Sequence, residues 1–345
     1  MLEKFIEMVE GGRSLDVEQV GEVVEALTSA DVAPEKKADF LIALTRRGES
    51  PEEIAHFASI LRGMSVQPPL SETLRKGVLL DTCGTGGDKL NTFNISTTVA
   101  LLCAGAGVKV TKHGNRAITS KSGSADVLEK LGIPVTLTPE EAARTLEEKG
   151  FAFLFAPHYH PAFKHIAPAR RICAERGSRT IFNFLGPLLN PARPDTQLLG
   201  VARPELCEPL AKVLQSIGLR RAMVVCGKVG DACLDELSTL GETTVAEFYQ
   251  DRGFNVSTLS ERDFPMQPAS IRDLQVGEGE SSEEIVLSIL GGREKGPRRD
   301  AVLLNAGAAL FVSEKAPSIT EGWDLAEKTI DSGAAMDKLE QLRSS

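Results

Sequence analysis

Residues 81–132 read DTCGTGGDKLNTFNISTTVALLCAGAGVKVTKHGNRAITSKSGSADVLEKLG, and they decide the fold and the chemistry that we predict. The apolar run at 78–80 precedes this stretch and predicts a strand, which breaks into a loop with glycines at 84, 86 and 87. The polar run NISTT at 94–98 then introduces an apolar helical run at 99–104. A strand, a glycine loop and a helix N-terminus in this order can point backbone N–H groups at an anion. We therefore predict a phosphate site in this loop.

A second polar segment follows the predicted strand at 108–111. Residues 112–126 contain three cations and four hydroxyls, a composition that suits a polyanion. The glycine loop alone is also compatible with an ordinary strand-to-helix turn, and it contains neither the GxxxxGK[ST] nor the GxGxxG pattern. Because successive strands of a parallel sheet end at one edge, two polar segments in these positions favour a ligand site over a plain turn.

Composition limits the classes of function. The 345 residues can form two domains or one domain with a large insertion, and 42% hydrophobic with 25% charged residues is typical of a soluble folded protein. A net charge of −9 argues against a general nucleic-acid surface. No apolar stretch reaches membrane-spanning length, and the N-terminus MLEKFIEMVEGG predicts an amphipathic helix and not a signal peptide. We expect a cytoplasmic protein with no membrane and no nucleic-acid partner.

The six cysteines form no CxxC pair, and most of them lie in apolar runs, so we expect reduced core thiols. Cys226 and Cys233 could share a metal only with a histidine, and all five histidines lie far upstream. We do not expect a zinc site.

The spacing of apolar residues predicts two kinds of structure. Residues 1–74 are helical throughout, with a capping box at 50–53, and from 78 onward short apolar runs alternate with helical ones. This alternation predicts an α/β fold with a mainly parallel central sheet. The predicted strands are 78–80, 108–111, 135–137, 151–155, 198–201 and 222–226. The predicted helices are 95–105, 124–131, 139–149 (with a second capping box at 138–141), 204–217, about 300–312 and 321–343, with a hairpin near 243–258.

At these residues the chain resembles the anthranilate phosphoribosyltransferase family, which has the nucleoside phosphorylase and phosphoribosyltransferase fold. The motifs that carry the resemblance are GTGGD (84–88), TFNIST (92–97), KHGNR (112–116), GSADVLE (123–129) and TIFNFLGPLLNPA (180–192). The likeness covers nearly the whole chain, and the motifs are long and in the family's order. It implies a small N-terminal helical domain, 1–74 with a returning segment at about 157–194, and a larger α/β domain, 75–156 and 195–345. It also implies a homodimer through the N-terminal helices.

The resemblance implies a reaction as well. The family transfers the phosphoribosyl group of 5-phosphoribosyl 1-diphosphate (PRPP) to the amine of anthranilate, with Mg²⁺ as cofactor, in tryptophan biosynthesis. For PRPP it implies Gly84, Gly87, Asp88, Thr92, Asn94, Ile95, Ser96, Thr97, Lys112, His113, Gly114, Asn115, Arg116, Ser120 and Ser124. For anthranilate it implies Gly84, Asn115, His160 and Arg170, and for the metal Ser96, Asp235 and Glu236. No residue has to be a general base; His113 is a candidate proton acceptor, and a structural role for it stays open.

The chain departs from the family pattern in three places. Position 89 is lysine where glycine is usual, Cys226-Gly227 stands where a histidine is common, and the loop at 228–233 is longer than expected. Two alternatives also stay open. A pyrimidine nucleoside phosphorylase shares the fold but has other phosphate and base motifs, and a non-enzymatic relative that binds nucleic acid should present a basic face.

Overall fold

The computed structural model describes residues 2–117, 122–250 and 252–344. The α-helices are Leu2–Glu10 (α1), Val17–Thr28 (α2), Pro34–Arg47 (α3), Pro51–Gly63 (α4), Glu72–Lys76 (α5), Ile95–Gly105 (α6), Ser124–Lys130 (α7), Pro139–Lys149 (α8), Ala156–Tyr159 (α9), Ala167–Glu175 (α10), Phe182–Leu185 (α11), Cys207–Ser216 (α12), Ile271–Leu274 (α13), Ser282–Leu290 (α14), Pro297–Val312 (α15), Ile319–Asp331 (α16) and Ala334–Arg343 (α17). The strands are Leu79–Gly84 (β1), Lys109–Gly114 (β2), Phe151–Phe155 (β3), Thr196–Gly200 (β4), Arg221–Val229 (β5), Ala232–Leu234 (β6), Thr243–Tyr249 (β7) and Gly253–Leu259 (β8).

One sheet organises the molecule, and its strand order is β3-β2-β1-β4-β5-β7-β8, with β6 paired to β5. The first five strands in this order are parallel, and β6, β7 and β8 join by antiparallel pairing. Strands β1 and β4 are buried on both faces, as is usual for parallel strands covered by helices. The prediction of a small N-terminal helical domain and a larger α/β domain with a mainly parallel sheet is confirmed.

Two large apolar cores cover the two faces of the sheet, and a smaller one surrounds Leu79, Leu146 and Leu154. One packs α6, α15, α16 and α17 on one face. The other joins the N-terminal helices and the segment around α10 and α11 to the opposite face. Lys37 on α3 is buried in this second core, where its Nζ donates to the carbonyls of Ser29 at 2.7 Å and His165 at 2.9 Å. A lysine thereby joins the N-terminal helices to the residues that precede α10.

Local signals in the sequence correspond to local structure. Both predicted capping boxes are present, at the Ser50 N-cap of α4 and the Thr138 N-cap of α8, each with a proline in the first turn. Strand β3 has its predicted bounds, and so does α6. Among the helices that the structure describes, none combines the length and apolar character needed to cross a bilayer.

Three predictions about elements are wrong. Residues 135–137 form no strand; Val135 is 4% exposed, but prolines at 134 and 139 bracket the run and it pairs with no strand. The predicted single helix at 321–343 is two helices, because Gly333 adopts a φ of 85° between α16 and α17. The long loop at 228–233 is a hairpin, in which Lys228 on β5 pairs with Cys233 on β6.

Candidate active site

The C-terminal ends of β1, β2, β4 and β5 meet at one edge of the sheet, and the polar segments of the sequence follow them. Gly84 ends β1 and Gly200 ends β4, and the two are partners in register. A Cβ on either glycine would overlap Asp235, at its carboxylate for Gly84 and at its carbonyl for Gly200. The two glycines therefore leave the room in which the acidic loop crosses the edge of the sheet.

Asp235 and Glu236 lie against the glycine loop and the start of α6. The Gly86 N–H donates to Asp235 Oδ2 at 2.7 Å, and the Ser96 N–H donates to Glu236 Oε1 at 3.2 Å. Removal from water, and then the charge of nearby Asp88, raises the pKa of Asp235 to about 7. Burial, reinforced by Asp235, raises the pKa of Glu236 well above its usual value. Carboxyl groups whose pKa is raised by burial and by neighbouring acids form a site that a cation would stabilise.

Lys112, near the end of β2, reaches the same place from inside the protein. Its side chain is buried, and its Nζ donates to the Thr82 carbonyl at 2.6 Å and to Ser96 Oγ at 3.3 Å. Burial lowers the pKa of Lys112, and the carboxylates of Asp81 and Glu236 oppose that change. The amine is thus held beside the N-terminus of α6, where the helix already favours an anion.

Asp126 closes the polar loop after β2. Its Oδ2 accepts from the backbone N–H groups of Ala117 and Gly123, each at 2.9 Å. Arg116 forms ion pairs with Asp126 and Glu129 on α7, at 3.1 and 2.7 Å. The structure therefore gives the predicted substrate residue Arg116 a role in holding the loop.

The two polar loops contact each other. Asn94 Nδ2 donates to the Ser122 carbonyl at 3.2 Å, so its side chain joins the loops and does not cap α6. The Ser124 hydroxyl donates to the Asn115 carbonyl at 3.4 Å, and a Cβ on Gly114 would overlap that hydroxyl. The predicted residues from both segments thus lie together at one edge.

The remaining predicted PRPP residues differ in exposure. Ile95 and Thr97 have buried side chains and lie in the first turn of α6. Gly87 is exposed and Thr92 is half-buried. Ser120 lies outside the described residues.

Beside this edge, the rings of His113, His160, Phe163 and Phe182 form a row that ends at Arg170. We call it the ring row, and its side of the edge the acceptor side, because the resemblance implies that anthranilate, which accepts the phosphoribosyl group, binds here. The ring centroids of His113 and His160 are 5.1 Å apart, and His160 is 5.1 Å from Phe163. Phe163 is 5.8 Å from Phe182, and the Arg170 guanidinium lies 5.7 Å from the Phe182 centroid. Among the described residues, that guanidinium has no hydrogen-bond acceptor and no ion-pair partner, and burial lowers the pKa of Arg170. A half-buried arginine beside apolar rings suits an aromatic carboxylate.

The two histidines of this row are neutral at pH 7. Burial, and then the neighbouring His160, lowers the pKa of His113 to about 3, and burial lowers the pKa of His160 to about 4. Hydrogen bonds to the backbone of Gly186 and Leu189 oppose these changes. Both Nε2 atoms are buried without a partner in the described part of the chain. A buried nitrogen without a hydrogen-bond partner costs free energy, and a ligand that hydrogen-bonded to either Nε2 atom would remove that cost.

The side-chain amides of Asn190 and Gln197 are buried and hold neighbouring segments on the acceptor side in place. Neither residue was selected from the sequence. Asn190 Nδ2 donates to Asp81 Oδ2 at 2.9 Å and to the Thr111 carbonyl at 2.7 Å. Gln197 Nε2 donates to the Pro187 carbonyl at 2.8 Å. Asn190 belongs to the motif at 180–192, and that motif was the one signal in the sequence that could have pointed to it. The partners of Asn190 lie 109 and 79 residues away in sequence, so the spacing could not identify them.

Arg179, directly before that motif, was also missed. Its guanidinium donates to the Gly87 carbonyl at 3.4 Å and therefore contacts the glycine loop from the acceptor side. An exposed arginine between a turn and a helix carries no pattern of its own, so only the fold reveals this contact.

Comparison with known proteins gives the family. Residues 76–336 match the model of the glycosyl transferase family a/b domain, and residues 3–65 match that of the glycosyl transferase family helical bundle domain. The chain is similar to the anthranilate phosphoribosyltransferase of Petrotoga mobilis, with 44% identity over 342 residues, which are 99% of this chain and 96% of the relative.

Solved structures agree with this assignment. The chain is similar to anthranilate phosphoribosyltransferase from Thermus thermophilus, with a TM-score of 0.87, 41% identity and 98% of each chain covered. It is also similar to the Saccharomyces cerevisiae protein in complex with PRPP and Mg, with a TM-score of 0.85, 28% identity, and 99% of this chain and 96% of that one covered. The yeast protein is also known in complex with 4-fluoroanthranilate. The likeness spans both domains and nearly every residue, and the chain belongs to the anthranilate phosphoribosyltransferase family.

Proposed function

We propose that this chain transfers the phosphoribosyl group of PRPP to the amine of anthranilate, giving N-(5-phosphoribosyl)anthranilate and diphosphate in tryptophan biosynthesis. The observation that carries the proposal is one sheet edge with an anion site on one side and the ring row with Arg170 on the other. The yeast relative binds PRPP with Mg and 4-fluoroanthranilate, and these are the two kinds of molecule that the two sides suit.

The anion side stabilises the leaving group. Lys112 and the N-terminus of α6 meet at Ser96, and the N–H groups of Gly86 and Ser96 both face the acidic loop at Asp235 and Glu236. When the C1–O bond of the ribose breaks, its electron pair leaves with the diphosphate and positive charge develops on the sugar. Fixed donors near that leaving oxygen favour the transition state.

The acceptor side positions the nucleophile. In this proposal Arg170 binds the carboxylate of anthranilate and the neighbouring rings bind its aromatic face. The neutral aromatic amine attacks C1 with its lone pair, and the new C–N bond forms before a proton passes to water. Because the pKa of His113 is about 3, its ring is a weak base, and we assign His113 and His160 to shaping the pocket.

Magnesium is part of the proposal, with Ser96, Asp235 and Glu236 as protein ligands. These side chains supply hard oxygen atoms, and the raised pKa values of both carboxyl groups indicate a demand for nearby positive charge. Magnesium is usually held by one or two carboxylates together with substrate phosphates, so we assign the remaining ligands to the diphosphate of PRPP. Bound magnesium would neutralise charge on the departing diphosphate.

The proposal also covers the organisation of the enzyme. We assign residues 1–74 and about 157–194 to a helical domain, and 75–156 and 195–345 to the PRPP-binding domain, with the site between them. We assign a homodimer through the N-terminal helices and a place in the cytoplasm. The six cysteines are all free, which suits a reducing compartment.

Incubation with PRPP, anthranilate and magnesium tests the activity, because anthranilate is fluorescent and its signal should fall as product forms. Omission of PRPP is the control. Phosphorolysis of pyrimidine nucleosides without loss of anthranilate would instead support the phosphorylase alternative, and binding of nucleic acid without turnover would support the non-enzymatic one.

A further inference from the structure

The glycine loop is held from its far side by residues next to α13, a region to which the sequence assigned no function. Gln275 Nε2 donates to the Leu90 carbonyl at 2.8 Å. The Phe93 N–H donates to the Leu274 carbonyl at 3.0 Å, and Thr92 forms an antiparallel bridge with Gln275. A segment 185 residues away in sequence thus pairs with the loop between Asp88 and α6.

The loop needs such support because its backbone is disfavoured there. Lys89 has a φ of 62° and Asn91 a φ of 55°, so both residues adjacent to Leu90 lie in the left-handed region that favours glycine. The Leu90 N–H donates to Asp88 Oδ1 at 3.2 Å, and its carbonyl accepts from Gln275. Leu90 is therefore held on both sides, and the first of these contacts orients the Asp88 carboxylate.

Gln275 is itself firmly anchored. Arg298, in the first turn of α15, donates to the Gln275 carbonyl at 2.8 Å and to the Asp273 carbonyl at 3.0 Å. It also forms an ion pair with Glu280 at 2.7 Å. Most of α15 is buried in the core, so the support reaches from that core to the glycine loop.

We propose that Gln275 is a positioning residue for the diphosphate half of PRPP, because its amide fixes the turn at Leu90 and thereby places Asp88 and Thr92. The inference rests on the proposed binding of PRPP. It concerns the order of the loop, so it can be tested separately from catalysis.

Gln275→Ala tests the proposal, with Gln250→Ala as a matched control. Gln250 also donates its amide to two backbone carbonyls, of Gln215 and Leu219, but it lies far from the loop. Titration calorimetry with PRPP and magnesium should show a Kd about 2- to 10-fold higher for Gln275→Ala, the range that one hydrogen bond gives, and an unchanged Kd for the control. The KM for anthranilate should not change.

Amide hydrogen exchange separates a positioning role from general destabilisation. In Gln275→Ala, exchange should rise in peptides covering 85–94 and 270–280 and stay unchanged elsewhere. Exchange that rose throughout the chain, or equal Kd values for the two variants, would overturn the proposal. If the wild type did not bind PRPP, the proposed function would fail, and local exchange would still decide whether Gln275 orders the loop.

Lys89→Gly provides a further test, because glycine adopts the left-handed conformation without steric strain, so the hydrogen bond from Gln275 has less strain to oppose. The effect of Gln275→Ala on Kd should therefore be smaller in the Lys89→Gly background than in the wild type. Because the Kd with and without Gln275→Ala is compared within each background, any direct effect of losing the lysine charge cancels. An equal or larger effect in the Lys89→Gly background would contradict the mechanism.

Discussion

Arg170 and Arg171 are neighbours on α10 with different surroundings, since Arg170 is half-buried beside Phe182 and Arg171 is exposed. We expect Arg170→Ala to raise the KM for anthranilate about 10- to 150-fold, because loss of a charge-assisted hydrogen bond costs about 1.5–3 kcal/mol. The KM for PRPP should change little, since only one substrate loses a partner. Steady-state kinetics with each substrate varied gives both values, and Arg171→Ala is the matched control. Equal losses for both substrates would reject the assignment.

Asp235 and Glu236 are expected to be the main protein ligands of magnesium. The double change Asp235→Asn with Glu236→Gln keeps the shape of both side chains and removes both charges. We expect the magnesium concentration for half-maximal rate to rise by about tenfold or more, the equivalent of roughly 1.4 kcal/mol. Titration of rate against magnesium measures this, and thermal unfolding checks that the fold is intact. Superimposable curves would mean that the pair is only a polar loop.

His113 and His160 make stability depend on pH in a defined direction. Both pKa values are lowered from 6.5, to about 3 and about 4, so below pH 6.5 the unfolded chain takes up protons that the folded chain does not. The free energy of unfolding should therefore fall as pH drops from 6.5 toward 4, by about 1.4 kcal/mol per pH unit for each histidine. Urea unfolding at pH 7, 6 and 5 should give a shallower dependence for His113→Gln with His160→Gln than for the wild type. Parallel dependences would show that the rings titrate alike in both states.

At the scale of elements, the loop that carries Asp235 and Glu236 occupies the space that glycines leave at the ends of β1 and β4. Strand β4 ends in Gly200, and a Cβ there would overlap the Asp235 carbonyl, so Gly200→Ala must displace the loop. We expect a loss of about 1–3 kcal/mol in unfolding free energy and a higher magnesium requirement. Gly63→Ala, at the exposed end of α4 with open space around its Cβ, should be neutral or slightly stabilising. An unchanged magnesium requirement in Gly200→Ala would show that the loop position does not matter for the metal.

The hairpin β5–β6 explains how the chain accommodates its longer loop. Lys228 pairs with Cys233 and Val229 with Ala232, so the loop folds back on itself before the chain reaches Asp235. Gly227 on β5 also allows a close approach, since a Cβ there would lie 2.6 Å from the Glu236 carbonyl. Residues 228–233 thus form the hairpin itself, and Gly227 lies against the backbone of Glu236.

At the scale of the whole molecule, we expect a homodimer through the N-terminal helices. Ile6 of α1 and Ile42 of α3 line a groove of about 420 Å³ together with Arg176 after α10. A second copy would cover the half-buried Ile6 side chain. Light scattering should give twice the 37.0 kDa of one chain, and Ile6→Glu should shift the mass toward one chain. Val256→Glu, at an exposed apolar residue of β8, should leave the mass unchanged. A single-chain mass for the wild type at micromolar concentration would contradict this prediction.

The sequence by itself determined what depends on neighbours along the chain. The capping boxes at Ser50 and Thr138 set helix starts, and the alternation of apolar runs after residue 78 predicted a parallel sheet whose strand ends carry the polar loops. These signals are reliable because caps and amphipathic periods act within a few residues. The same local reading failed at 135–137, where an apolar run meets no strand partner.

Only the tertiary structure decided which distant groups meet. Gly86 and Asp235 are 149 residues apart and share a hydrogen bond, and Asn190 reaches Asp81 across 109 residues. No spacing in the sequence encodes such pairs, because they follow from strand order and from the small residues that let loops approach. The support of Leu90 by Gln275 is of the same kind. Residue types and motifs thus predicted the chemistry of this site, and packing of the sheet edge determined which side chains hold it in place.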